Sequence, residues 1–120
     1  MIKKKYPSTT PENINPYEAM DFLRDNAELA GSLKACVYVM TEMRKTVKAK
    51  LMIQAIDAKS ESAKETYAYA HEDLEEHVKK TGDAIAEYET LRLLILAAES
   101  KLEAWRSLEA SARNEIRLSQ

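Results

Sequence analysis

Apolar residues recur along this chain at intervals of three and four. Over about residues 27–57, Leu29, Leu33, Cys36, Met40, Met43 and Val47 step by 4, 3, 4, 3 and 4, the 3.5-residue period of a seam on a coiled-coil-like α-helix. Lys50 and Gln54 stand where the series would continue, and Leu51, Met52, Ile53 and Ile56 occupy neighbouring positions instead. At about 100° per residue those four side chains cannot share one face, so this end of the helix is expected to be covered from more than one side.

A longer pattern occupies about residues 71–117, where Leu74, Val78, Ile85, Tyr88, Leu91, Ile95, Ala98, Leu102, Trp105, Ala112 and Ile116 support one helix and Thr81 and Glu109 place polar groups in its seam. At about 1.5 Å per residue it would span roughly 70 Å, with Gly82 as its weak point. Ahead of both patterns, Asn15-Pro16-Tyr17-Glu18 reads as a helix start, with Asn as the cap, Pro at the first helical position and Glu at the third. This predicts a short helix over about 16–25. Beyond it, two readings stay open: Asn26 caps a new helix, or Gly31 lies inside a continuous one at a cost of about 1 kcal/mol. Lys59-Ser60-Glu61-Ser62 is the expected break, with Ser60 or Ser62 capping a short helix over 63–70 that turns the chain around.

The predicted fold is therefore all-α: an elongated helical hairpin with a short N-terminal helix and a long C-terminal helix, coiled-coil-like and oligomeric. Residues 15–120 form a single helical domain. Residues 1–14, with Lys3, Lys4, Lys5, Pro7 and Pro11, read as a mobile basic arm too poor in apolar surface to order itself.

Composition agrees with the pattern. Two Gly and three Pro leave little turn chemistry, whereas seventeen Ala among 120 residues favour helix. A single cysteine cannot form an internal disulfide, and no apolar run is long enough for a membrane span, so the chain is expected to be soluble, away from membranes and cytoplasmic. The basic start has no apolar region behind it and is not a secretory signal. The net charge of −2 hides an asymmetry: residues 1–60 carry ten Lys/Arg against seven Asp/Glu, and residues 61–120 carry eight against thirteen. The two halves should attract each other, within one chain or between copies.

Two features point to binding. The first is Leu91, Leu93, Leu94, Ile95 and Leu96, which direct apolar groups around a whole helix circumference. One helical partner covers one side, so the segment is expected to form an oligomer interface, unless the short N-terminal helix covers it. The second is Lys34, Lys45, Lys48 and Lys59, which fall within an arc of about 60° when wound as one helix over roughly 37 Å. Spaced positive charges of this kind suit a phosphate backbone, although a solvated face or pairing with the acidic half would produce the same pattern. Tyr67 with Tyr69, and Trp105 beside Arg106, are candidates for stacking on bases, against the ordinary reading of aromatics at helical spacing as core.

Catalytic chemistry is not visible. His71 and His77 fall on opposite faces of a helix, and Asp73 with His77 is a possible metal pair without a third ligand at a suitable spacing. Cys36 lies in the seam and reads as a small core residue. With no nucleophile and base arrangement and no glycine-rich phosphate loop, neither an enzyme nor a cofactor or metal is expected.

Three blocks carry a resemblance. They are Arg44-Lys45-Thr46-Val47-Lys48-Ala49-Lys50-Leu51-Met52, Lys64-Glu65-Thr66-Tyr67-Ala68-Tyr69-Ala70-His71, and Lys101-Leu102-Glu103-Ala104-Trp105-Arg106-Ser107-Leu108-Glu109-Ala110-Ser111. Over roughly residues 30–117 they resemble a small helical protein family of bacteriophages. The layout of lysine-bearing helix, short connector and long C-terminal helix also resembles the UvsY-type recombination mediator of T-even phages. That resemblance implies an oligomeric accessory protein of DNA recombination or replication. It would bind single-stranded DNA and assist the loading of a recombinase onto strands covered by single-strand binding protein. The alternative is a protein-binding module, a phage inhibitor or adaptor that engages a host factor through the acidic C-terminal helix without nucleic acid.

Overall fold

The computed structural model describes residues 14–120; the arm expected over 1–14 lies, apart from Ile14, outside them. Three helices follow in order: α1 Pro16–Gln54, α2 Glu61–Ala70 and α3 Glu72–Leu118, of 39, 10 and 47 residues. No strand occurs among the described residues, which form an all-α helical hairpin.

Local chemistry sets the helix ends. Asn15 Oδ1 accepts the backbone N–H groups of Tyr17 at 3.0 Å and Glu18 at 3.3 Å, two donors that the first turn cannot satisfy itself. Ser60, in extended backbone at φ −129°, accepts from Ala63 N at 3.1 Å and opens α2. His71 serves both sides of the next junction. Its N–H donates to Ala68 O at 3.2 Å, and its Nδ1 accepts from Asp73 N at 3.0 Å, so α3 begins with no intervening loop. The α1–α2 turn is closed by short-range bonds, Ala55 N to Met52 O and Ala58 N to Ala55 O, both 3.2 Å. None of the described residues has a positive φ, which is how so few glycines suffice.

The helix expected over 16–25 starts where predicted but does not stop. It is the beginning of α1, which continues through Asn26 and Gly31. The Asn26 side chain donates back to Phe22 O at 2.9 Å instead of capping a new helix. Gly82 likewise lies inside α3.

The structure divides into two compact units. One, Glu28–Leu91, contains the second part of α1, all of α2 and the start of α3. Its core is Leu51, Ala68 and Leu74, at 2 %, 0 % and 3 % exposure, one residue from each helix, with Val47 and Met52 packed against them. His77 of α3 meets the Met40 carbonyl of α1 at 2.7 Å. The other unit joins the described residues up to Ala27 to Arg92–Gln120. There Ala19 and Ala98 are buried, beside a groove lined by Glu18, Phe22, Leu94 and Lys101.

Two expectations for α1 are corrected. Leu51 is buried and Met52 packs on the core, but Ile53 and Ile56 are 80 % and 89 % exposed. Cover at this end therefore reaches Leu51 and Met52 and leaves out Ile53, on the far side of α1, and Ile56, which lies in the turn beyond Gln54. Cys36 is exposed, with its thiol 3.8 Å from Met40 Sδ. It is not a core residue, since the half-buried positions of the seam are Leu33, Met40 and Val47.

Candidate nucleic-acid interface

Winding α1 at 100° per residue separates two open flanks on either side of its covered face. One is apolar: Leu29, Cys36, Val39 and Met43 recur along it and all are exposed. The other is basic. Lys34 and Lys45 lie on it, exposed, with the half-buried Lys48 and the exposed Arg44 at its edge toward the covered face. Lys59 does not join them, because α1 ends at Gln54 and Lys59 sits in the turn before α2. The expected four-lysine arc is therefore three lysines on a helix and a fourth on a connector.

The folding of α2 changes the environment of this flank. Tyr69, 52 % exposed, comes to α1, with Lys48 Nζ 4.8 Å from its ring centroid and the Arg44 guanidinium carbon 6.0 Å from it. Both cations lie at distances where an aromatic ring attracts them. Lys48 also reaches Glu65 of α2 at 3.6 Å. A side-chain hydrogen bond with Tyr69 foremost, and with it the Glu65 charge, hold the Lys48 ammonium above its ordinary pKa against the desolvation that opposes them. Lys45 pairs with Glu42 within α1 at 3.6 Å while its side chain stays 82 % exposed. Exposed pairs of this kind are weak, on the order of 0–1 kcal/mol, and yield readily to a competing anion.

Tyr67 does not share this flank. Two residues away on α2, it turns to His71, with ring centroids 5.6 Å apart. Trp105 is half-buried and Arg106 pairs with Glu103 at 3.1 Å, so those two form no open stacking pair. Arg44 was not among the sequence candidates, although its place four residues before Lys48 was a legible signal.

The histidines are engaged structurally: His77 with the Met40 carbonyl, His71 with the first turn of α3. No group of three metal-ligating side chains occurs among the described residues, and no described helix is long and apolar enough to cross a membrane. In the 91–96 segment Leu91 is buried and Leu94 and Ile95 are half-buried, whereas Leu93 and Leu96 are 54 % and 50 % exposed. Exposed apolar groups therefore remain on that stretch of α3.

No known protein family, no curated protein and no solved structure matches this chain.

Proposed function

We propose that this chain is a non-enzymatic, self-associating helical protein that binds single-stranded DNA without regard to sequence, in the service of phage DNA recombination or replication and the loading of a recombinase. The observation that carries the reading is the basic flank of α1, where Lys34, Lys45 and Lys48 are joined by Arg44 and fronted by the half-exposed ring of Tyr69. Lys34 to Lys48 spans roughly 21 Å of helix, room for several consecutive phosphates of an extended strand. Self-association is supported by Leu93 and Leu96 on α3 and by the apolar flank of α1, surfaces that water does not favour leaving open.

The test is fluorescence anisotropy with a labelled oligonucleotide over a range of salt. Affinity should fall as salt rises, with a logarithmic slope near −0.7 per neutralised phosphate. Changing Lys45 and Lys48 together to Glu should weaken binding to every sequence about equally and flatten that slope. An absence of binding by the intact protein at low salt would replace this reading with a second one. In that case the apolar flank of α1 and the exposed leucines of α3 serve a protein partner, and nucleic acid has no part.

A further inference from the structure

We infer that Tyr69 is the seat of an unpaired base, with Arg44 and Lys48 on the phosphates that flank it, so that the site distinguishes single strands carrying bases from bare backbone. This deepens the proposed function and rests on it. The lysines of α1 alone would read charge and nothing else, because phosphate contacts carry no information about the base. Tyr69 changes the chemistry. Tyr69 is half-exposed and the two cations lie over its ring within 6.0 Å, so the part of the ring that they leave open is a flat surface for a base next to the charges that hold its backbone, the combination that single-strand binding uses.

The placement is also fixed before any ligand arrives. Ala68, adjacent to Tyr69, is fully buried between Leu51 and Leu74, so the backbone that carries the ring is anchored in the core. Duplex DNA keeps its bases stacked and out of reach, so this seat selects single strands. The opposing charge in the site is Glu65, 3.6 Å from Lys48 and itself half-exposed. It competes with a phosphate for Lys48, so removing its charge should strengthen binding.

The experiment compares two labelled strands of equal length and charge, oligo-dT and a fully abasic deoxyribose-phosphate strand, by anisotropy at low salt. The intact protein should bind oligo-dT about ten-fold more tightly, the effect of stacking on a base. Tyr69→Leu should erase that preference, Tyr69→Trp should keep it, and Glu65→Gln should tighten binding to both strands. Equal affinity of the intact protein for the two strands would overturn the inference while leaving phosphate binding in place. Binding to neither would overturn the proposed function and this inference with it. The comparison of strands on the intact protein does not depend on any variant folding.

Discussion

His77 Nε2 donates to the backbone carbonyl of Met40 at 2.7 Å, joining α3 to α1 across 37 residues of chain. A carbonyl can only accept, so the imidazole carries its proton on Nε2. Thr81 Oγ1 donates in turn to His77 O at 2.8 Å one helical turn on. The bond pins the axial register of two helices whose apolar seams, being repetitive, would otherwise tolerate sliding by a turn. His77→Ala should lower stability by about 1 kcal/mol, and His77→Gln should restore part of it. Urea unfolding midpoints measured side by side check this; an unchanged midpoint for the alanine variant would refute the pinning role.

Neither glycine is needed where it stands. Gly31 and Gly82 lie inside helices, have no positive φ, and leave open space around an added Cβ. Gly31→Ala and Gly82→Ala should each stabilise by about 1 kcal/mol, through helix propensity alone. Thermal melts should rise by a few degrees for each change. A fall at either position would reveal a neighbouring copy packed closely against that glycine.

The small core predicts an asymmetric response to truncation. Leu51→Ala opens a cavity beside Ala68 and Leu74 and should cost about 2–4 kcal/mol. Ile53→Ala, a little over half a turn away and 80 % exposed, should cost under about 0.5 kcal/mol. Chemical denaturation of both variants tests the contrast, which vanishes if a partner covers Ile53 in the protein as it exists in solution.

Assembly is best probed at positions that leave the single chain intact. Leu94 lines the groove with Ala19 and Phe22, so a charge there would also disturb the packing of its own unit. Leu93 and Leu96 are more exposed. Leu93→Glu combined with Leu96→Glu should reduce the sedimentation coefficient at micromolar concentration while helix content stays the same. A wild-type protein that sediments as a monomer would rule out self-association.

Most of the fold was legible because its signals are local. Asn15 and Ser60 cap through their own side chains, and long apolar periodicity announces α1 and α3 without any knowledge of their partners. The misreadings have a common origin in what periodicity leaves out. The period marks six seam positions on α1 equally, but a neighbouring helix covers a limited arc, and a straight helix drifts by about 20° per heptad against a 3.5-residue repeat. Leu33, Met40 and Val47 fall under cover and Leu29, Cys36 and Met43 fall outside it. Lys59 was grouped with the stripe by winding the helix on past its expected end, and a residue of the turn has no helical angle. The meeting of Tyr69 with Lys48 and Arg44 was not legible at all. It depends on where α2 lies on α1, which is decided by the burial of Ala68 and by no pattern within α2 itself.

The short α2 has a consequence for how the molecule opens. Ten residues are too few to hold a helix in water unaided, so α2 persists because Ser60 and His71 close its ends and Ala68 is enclosed. When it lets go, it should do so whole, and its amide protons should exchange with solvent at one shared rate. Tyr69 and Glu65 leave Lys48 in the same event. A strand seated on Tyr69 would therefore slow the deuterium clock of every α2 amide together, and hydrogen exchange could register occupancy of the site with no label on either molecule.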